Sequence, residues 1–190
     1  MKESGDSMRV MHPLFPVGDG GSSPTSPLHM RVTEIPFLLA QQLNAAWHSR
    51  LPRFGTGFII NQPFLSFGAQ HGDTLYAVAI WSNPVARHLP QQTWLELRRM
   101  AVSPDAPRNT PSWMMGVMTR LIRKIRPHVV NLVSYSDMEV HTGTIYKASG
   151  WTATTINRNG DWTRSKRQRP AAQSLAAKQR WEMPLKAEAT

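Results

Sequence analysis

The sequence predicts an α/β domain, a mixed central sheet flanked by helices, and three observations carry that reading. Apolar runs of strand length alternate with segments whose apolar residues recur at helical spacing. Prolines and glycines punctuate the boundaries between them. With 41% hydrophobic residues among 190, seven Trp and ten Met included, the chain holds enough bulky material for one compact core without a disulfide or metal staple.

The elements follow in order. Residues 1–28, rich in Gly, Ser and Pro, read as a disordered leader, and residues 29–190 as a single domain. From Thr33 the pattern becomes helical: Thr33 is a cap, Pro36 suits a first turn, and Leu39, Leu43, Ala46 and Trp47 form an apolar stripe. Pro52, Gly55 and Gly57 end that helix. Two strands follow, FIINQPFLSFGAQ and TLYAVAIWS, joined by a turn at HGD. The strand TWLELRRMAV puts Trp94, Glu96 and Arg98 on one face and Leu95, Leu97 and Arg99 on the other.

Thr110 and Pro111 open the next helix as N-cap and first residue. Trp113, Val117, Leu121 and Ile125 form its apolar face, widened by Met114 and Met118, and Pro127 stops it. The strand VVNLVSY, a short helix around VHTGTIYKAS and the strand WTATTIN come next. A basic loop, residues 157–178, leads to a final strand near residues 178–185.

Composition narrows the function. The absence of cysteine excludes a disulfide framework, a thiol nucleophile and thiolate metal sites, and accords with a reducing, cytoplasmic setting. No run approaches the roughly 20 apolar residues that span a bilayer. The seven His are scattered, without a local ligand spacing, so a metal would need tertiary convergence. A net charge of +10 favours a polyanionic partner, DNA or RNA, over a generically basic surface. The segment RNGDWTRSKRQR gathers Arg158, Arg164, Lys166, Arg167 and Arg169 around Trp162, cations for phosphates beside a stacking face for a base. Arg120, Arg123, Lys124 and Arg126 on the long helix read equally well as a solvated face.

The most polar strand exit is SYSDMEVHTGTIYKASGW, residues 134–151, at the mouth of an apolar strand. Asp137 stands where α/β sites gather their chemistry, as a candidate to orient or deprotonate an attacking amine; a turn Asp is the plainer alternative. Tyr146 is a candidate proton donor. His48, at the end of the first helix, is either a proton acceptor or a helix-terminal His. Glu96 and Arg98 share a face and either pair or line a cleft. His141 and Ser136 are weaker candidates, and a helix cap accounts for Ser136.

The order of elements resembles the Gcn5-related N-acetyltransferase (GNAT) fold, a mixed sheet whose fourth and fifth strands splay apart. TWLELRRMAVSPDAPRNTPSWMMGVMTRLIRK is similar to its fourth strand and the helix after it, and TGTIYKASGW to its closing helix. The set NPVARHL, LELRRMAV, RNTPS, LVSYSD, HTGTIYKASGW and a late RWE resembles, more narrowly, the phage Mom-type proteins. That resemblance implies an enzyme placing a carbamoylmethyl (glycinamide-type) group on the exocyclic amine of adenine in phage DNA. It implies Asp137, Tyr146 and His48 as catalytic groups and Glu96, Arg98 and Ser136 as cleft lining. Arg108, Asn109, Thr110, Ser112, Met100 and Val102 would hold the donor. Where acetyl-CoA-binding members carry glycines, this chain has Arg108 to Ser112, and Pro111 removes an amide. The donor is therefore either acetyl-CoA-like or an aminoacyl-tRNA. Two alternatives stay open: an acyl-CoA-dependent N-acetyltransferase acting on a protein or small-molecule amine, and a non-catalytic nucleic-acid-binding module.

Overall fold

The computed structural model describes residues 23–48, 64–157 and 176–185. Of the expected leader, residues 1–22 lie outside these, and Ser26 caps a short 3₁₀ turn, Pro27–His29. Most of the basic loop, including Arg158, Trp162, Arg164, Lys166, Arg167 and Arg169, also lies outside the described residues.

After that turn comes a strand that the periodicity did not foretell. β1 (Arg31–Glu34) pairs antiparallel with β2 (Leu65–His71), so Thr33 is a strand residue and no cap. Pro36 explains the shift, because its ring disfavours helical backbone at Ile35. The helix α1 (Phe37–Trp47) starts only after it. β3 (Thr74–Ser82) returns along β2 through a turn at Gly72, whose φ of +55° suits glycine. β4 (Trp94–Val102) pairs antiparallel with β3 and leads into α2 (Thr110–Ile125).

α2 is capped by Asn109 in the left-handed region, one residue before the expected Thr110. Thr110 instead turns its hydroxyl back to the Pro107 carbonyl at 2.7 Å. The fully buried stripe of α2 is Met114, Met115, Met118 and Ile122; Trp113 and Leu121 pack at its margin and Ile125 is exposed. The apolar face was thus expected one position off. Unbranched Met at successive positions fills an irregular gap that branched residues would not.

β5 (Asn131–Asp137) runs parallel to β4. After it come α3 (Thr144–Ala148), β6 (Thr152–Asn157) and β7 (Lys178–Pro184). β7 inserts between β5 and β6, giving one seven-stranded sheet in the order β1-β2-β3-β4-β5-β7-β6. α2 and α3 cover one face over the larger core. α1 covers the other face over β2, β3 and β4, around Ala40, Val78, Ile80 and Ala101. Among the described residues no helix is long and apolar enough to cross a membrane.

Two departures from regularity shape the centre. The β4–β5 ladder runs from Trp94 opposite Asn131 to Leu97 opposite Ser134 and ends there, although both strands continue. The sheet splays beyond that point. In the same region β4 carries a bulge: Trp81 lies opposite Leu97 and Ile80 opposite Arg99, leaving Arg98 as the extra residue. A bulge shifts strand parity by one. Leu95 and Leu97 therefore face the α2 core before it, and Met100 and Val102 face the same core after it.

Candidate active site at the splay of the sheet

The bulge corrects the expected geometry of the strand. Arg98 and Arg99 both project to the α1 face, with Glu96, whereas simple alternation had turned Arg99 away. Arg98 Nε lies 3.3 Å from Glu96 Oε1, and Glu96 Oε2 accepts the Val85 N–H at 2.8 Å. Glu96 thereby ties the β3–β4 loop to the central strand. Burial pushes the Glu96 carboxyl up, while the Val85 N–H and the Arg98 charge pull it down. Arg99 is lowered to about 10, first by burial and then by the charge of Arg98. Two guanidiniums and one carboxylate leave this patch electropositive.

His48 caps the C-terminus of α1, its N–H bonding the Asn44 carbonyl. Its pKa lies below the ordinary value, chiefly through burial, then through the charges of Arg99 and His141. α1 packs on β3 and β4, so its end shares this face with the bulge of β4, and the charge of His141 in the loop after β5 also bears on His48. His48 is thus a neutral imidazole at pH 7, the form that accepts a proton.

Asp137 ends β5 on the same face by strand parity. Its Oδ1 accepts the Glu139 N–H at 3.0 Å and its carbonyl accepts the His141 N–H at 2.9 Å, so it also shapes the loop. Ser136 points the other way. Its hydroxyl accepts the Trp181 indole N–H at 2.9 Å inside the larger core, so it neither lines the Glu96 side nor caps a helix.

Tyr146 approaches the splay from the opposite face. It is 7% exposed, stacks on Trp181 at 5.0 Å between centroids and meets Trp151 edge-on at 5.8 Å. Its hydroxyl lies 2.9 Å from that of Ser134, which also bonds the Leu97 carbonyl at 3.3 Å. Ser134 and Leu97 are the last ladder pair, so the phenol ends at the apex of the splay. Burial raises the Tyr146 pKa, partly offset by the Ser134 hydrogen bond, and the hydroxyl keeps its proton. Tyr146 and His48 therefore flank the gap from opposite faces.

Gly143 makes this packing possible. Its φ is +75°, and a Cβ there would fall inside the Trp181 ring. Trp181 belongs to the late RWE run, whose neighbours were missed as site-shaping residues. Arg180 Nη2 lies 2.8 Å from Glu182 Oε1, Asn131 donates to Glu182 Oε2 at 2.9 Å, and Thr154 donates to Glu182 Oε1 at 3.0 Å. Tyr135 sits opposite Arg180 in register, on the same face as Glu96. Strand parity from Glu96 and Asp137 was the signal that would have found Tyr135 and Arg180.

The resemblance implies a coenzyme A donor held by backbone amides, and residues 103–112 suit that poorly. Pro104, Pro107 and Pro111 have no N–H. The amides of Ser103, Asp105, Ala106 and Thr110 bond Tyr76, Ser103 Oγ, Ser103 and Pro107. Among the described bonds, only Arg108, Asn109 and Ser112 keep theirs uncommitted, and Ser112 Oγ turns to the Asn109 carbonyl. Met100 and Val102 line the α2 side beside this loop. Among the described residues no group of three or more His, Asp or Glu gathers as a metal site.

A family model described as the Mom protein family matches residues 29–187. No curated protein matches. Solved structures of similar fold include the ribosomal-protein-S18-alanine N-acetyltransferase from Escherichia coli, at TM-score 0.57 and 18% identity over 84% of this chain and 96% of that one. A Bacillus subtilis acetyltransferase in complex with CoA aligns at TM-score 0.56 and 12% identity over 82% and 97%. Spermidine N-acetyltransferase from Vibrio cholerae, in complex with CoA and spermine, aligns at 0.57 and 7% over 83% and 96%. At such identities the likeness establishes the fold, a GNAT fold.

Proposed function

Since the chain belongs to the Mom protein family, we propose that it is a GNAT-like group transferase that modifies the exocyclic amine of adenine in DNA with a carbamoylmethyl group. The observation that carries this reading is the pairing of opposite proton functions across the splay: a neutral His48 on the α1 face and a protonated Tyr146 hydroxyl at the apex. An amine whose lone pair is delocalised into a purine needs its proton removed as it attacks, and the departing group needs one supplied.

His48 takes the amine proton, with Asp137 orienting the amine from the end of β5. Tyr146 delivers its proton to the leaving atom, and Ser134 holds the phenol in line. Arg98 and Arg99 favour phosphates or a developing oxyanion at the gap. The basic segment 157–178 holds the DNA backbone, its cations neutralising phosphates. In duplex DNA the amine is hydrogen-bonded inside the helix, so the base must be turned out.

The donor is an acyl carrier. Transfer of a glycyl group joins N6 to a carbonyl carbon, whereas the carbamoylmethyl product joins it to a methylene. The two are isomers, related by migration of the glycyl amine onto C6. The bonded amides of residues 103–112 favour an aminoacyl ester, as on tRNA, over a donor held by a pyrophosphate. Nucleoside mass spectrometry of DNA from cells expressing the chain tests the reading: a new deoxyadenosine species of carbamoylmethyl mass is expected. Unmodified DNA with abundant folded protein would refute it.

A further inference from the structure

Residues 138–141, the first part of the loop between β5 and α3, hold apolar side chains in water on a hydrogen-bonded backbone. Each of these four amides is bonded: Met138 to the Ala177 carbonyl at 3.0 Å, Glu139 to Asp137 Oδ1 at 3.0 Å, and Val140 and His141 to the Asp137 carbonyl at 3.3 and 2.9 Å. The loop is a stiff knob, and Met138 and Val140 stand 46% and 39% exposed on it. Ile125 and Val130, also exposed, lie at the opposite end of β5, away from the splay. The knob does not. His141, its last residue, is close enough to His48 to depress that imidazole.

Its surroundings hold more cations than anions, with Glu139 exposed on the knob itself and Asp137 at its base. Lys178 is the register partner of Asp137, Lys147 projects from α3, and Arg99 lies across the gap. A rigid apolar tip among cations suits a polyanion whose interior is apolar and stacked. Resting on the reading above, we infer that Met138 and Val140 form a wedge that enters the base stack and occupies the space left when adenine is turned toward His48. Turning a base out breaks two stacking contacts, and an apolar side chain in the vacancy keeps water out and slows its return.

The test uses the full chain and duplex oligonucleotides of randomised flanks with one central 2-aminopurine, whose fluorescence rises when it leaves the stack. The chain should raise that signal severalfold. The double variant Met138→Ser/Val140→Ser should lose roughly tenfold of the rise while keeping its salt-dependent affinity for duplex. In host-cell extract, as a source of donor, the same variant should modify single-stranded adenine as the parent does and fail on duplex. A variant that raises the fluorescence like the parent overturns the wedge. Modification of single strands by the parent, without any rise on duplex, overturns the wedge and leaves the transferase standing. A full rise with neither strand modified overturns the transferase and leaves the wedge standing.

Discussion

Replacing Gly143 by Ala tests whether the site is built as described, because one added methyl group reaches Tyr146, the proposed proton donor, through Trp181. The added Cβ would fall within the Trp181 indole ring, so it must displace a side chain that is 3% exposed. Overpacking of this kind costs about 1–3 kcal/mol. The backbone adds to it, since φ of +75° is left-handed and costs a residue with a Cβ about 1–2 kcal/mol. Loss of unfolded-state entropy returns about 0.4–1 kcal/mol. The net expectation is a loss of about 1–5 kcal/mol, read as a lower urea midpoint with unchanged slope. Trp181 also donates to Ser136 and stacks on Tyr146, so nucleoside modification should fall by more than the folded fraction does. A variant within about 0.5 kcal/mol of the parent and fully active would show that Trp181 is not held as described.

Other expectations follow from single groups. Tyr146→Phe keeps both ring contacts and leaves Ser134 its bond to Leu97, so stability should change by about 1 kcal/mol or less while modification drops roughly 10²–10⁴-fold. His48 must be deprotonated to accept a proton, and its pKa is depressed, so the acid limb of the rate profile should fall below about pH 6.5. Arg99→Met removes one cause of that depression and should move the limb to higher pH; a limb that stays put contradicts the assignment. Glu96→Ala leaves the buried Arg98 without its carboxylate and frees the Val85 amide, costing about 3 kcal/mol in a denaturant titration, whereas Glu96→Gln should recover part of it. Saturating coenzyme A should leave the melting temperature within about 1 °C, and a rise of several degrees would show that residues 103–112 grip a pyrophosphate after all.

Much of this architecture was legible in the residues. Long strands such as TLYAVAIWS carry their own β-branched and apolar signal, and Pro127 marks a helix end without ambiguity. The losses have particular causes. β1 is four residues long and abuts a proline, so its register with β2 is a tertiary fact rather than a local one. The bulge at Arg98 inverts every parity argument beyond it, and no residue type in LELRRMAV announces an extra residue. Ser136 was read as a cap because its true partner, Trp181, lies 45 residues away in sequence. In the site, candidates were recognisable by type, but their division between two faces of the sheet was not. Tyr146 reaches the gap from the core of α2 and α3, and His48 from α1, and only the strand order puts both at one splay.

Whether His48 and Tyr146 act from opposite faces of one splay is read out by the modified deoxyadenosine content of DNA. Cells making the parent, His48→Gln and Tyr146→Phe at matched soluble levels would be compared by nucleoside mass spectrometry. The parent should yield the modified nucleoside, and each variant should lose it roughly a hundredfold or more. Full modification by both variants would contradict this and move the chemistry away from the splay.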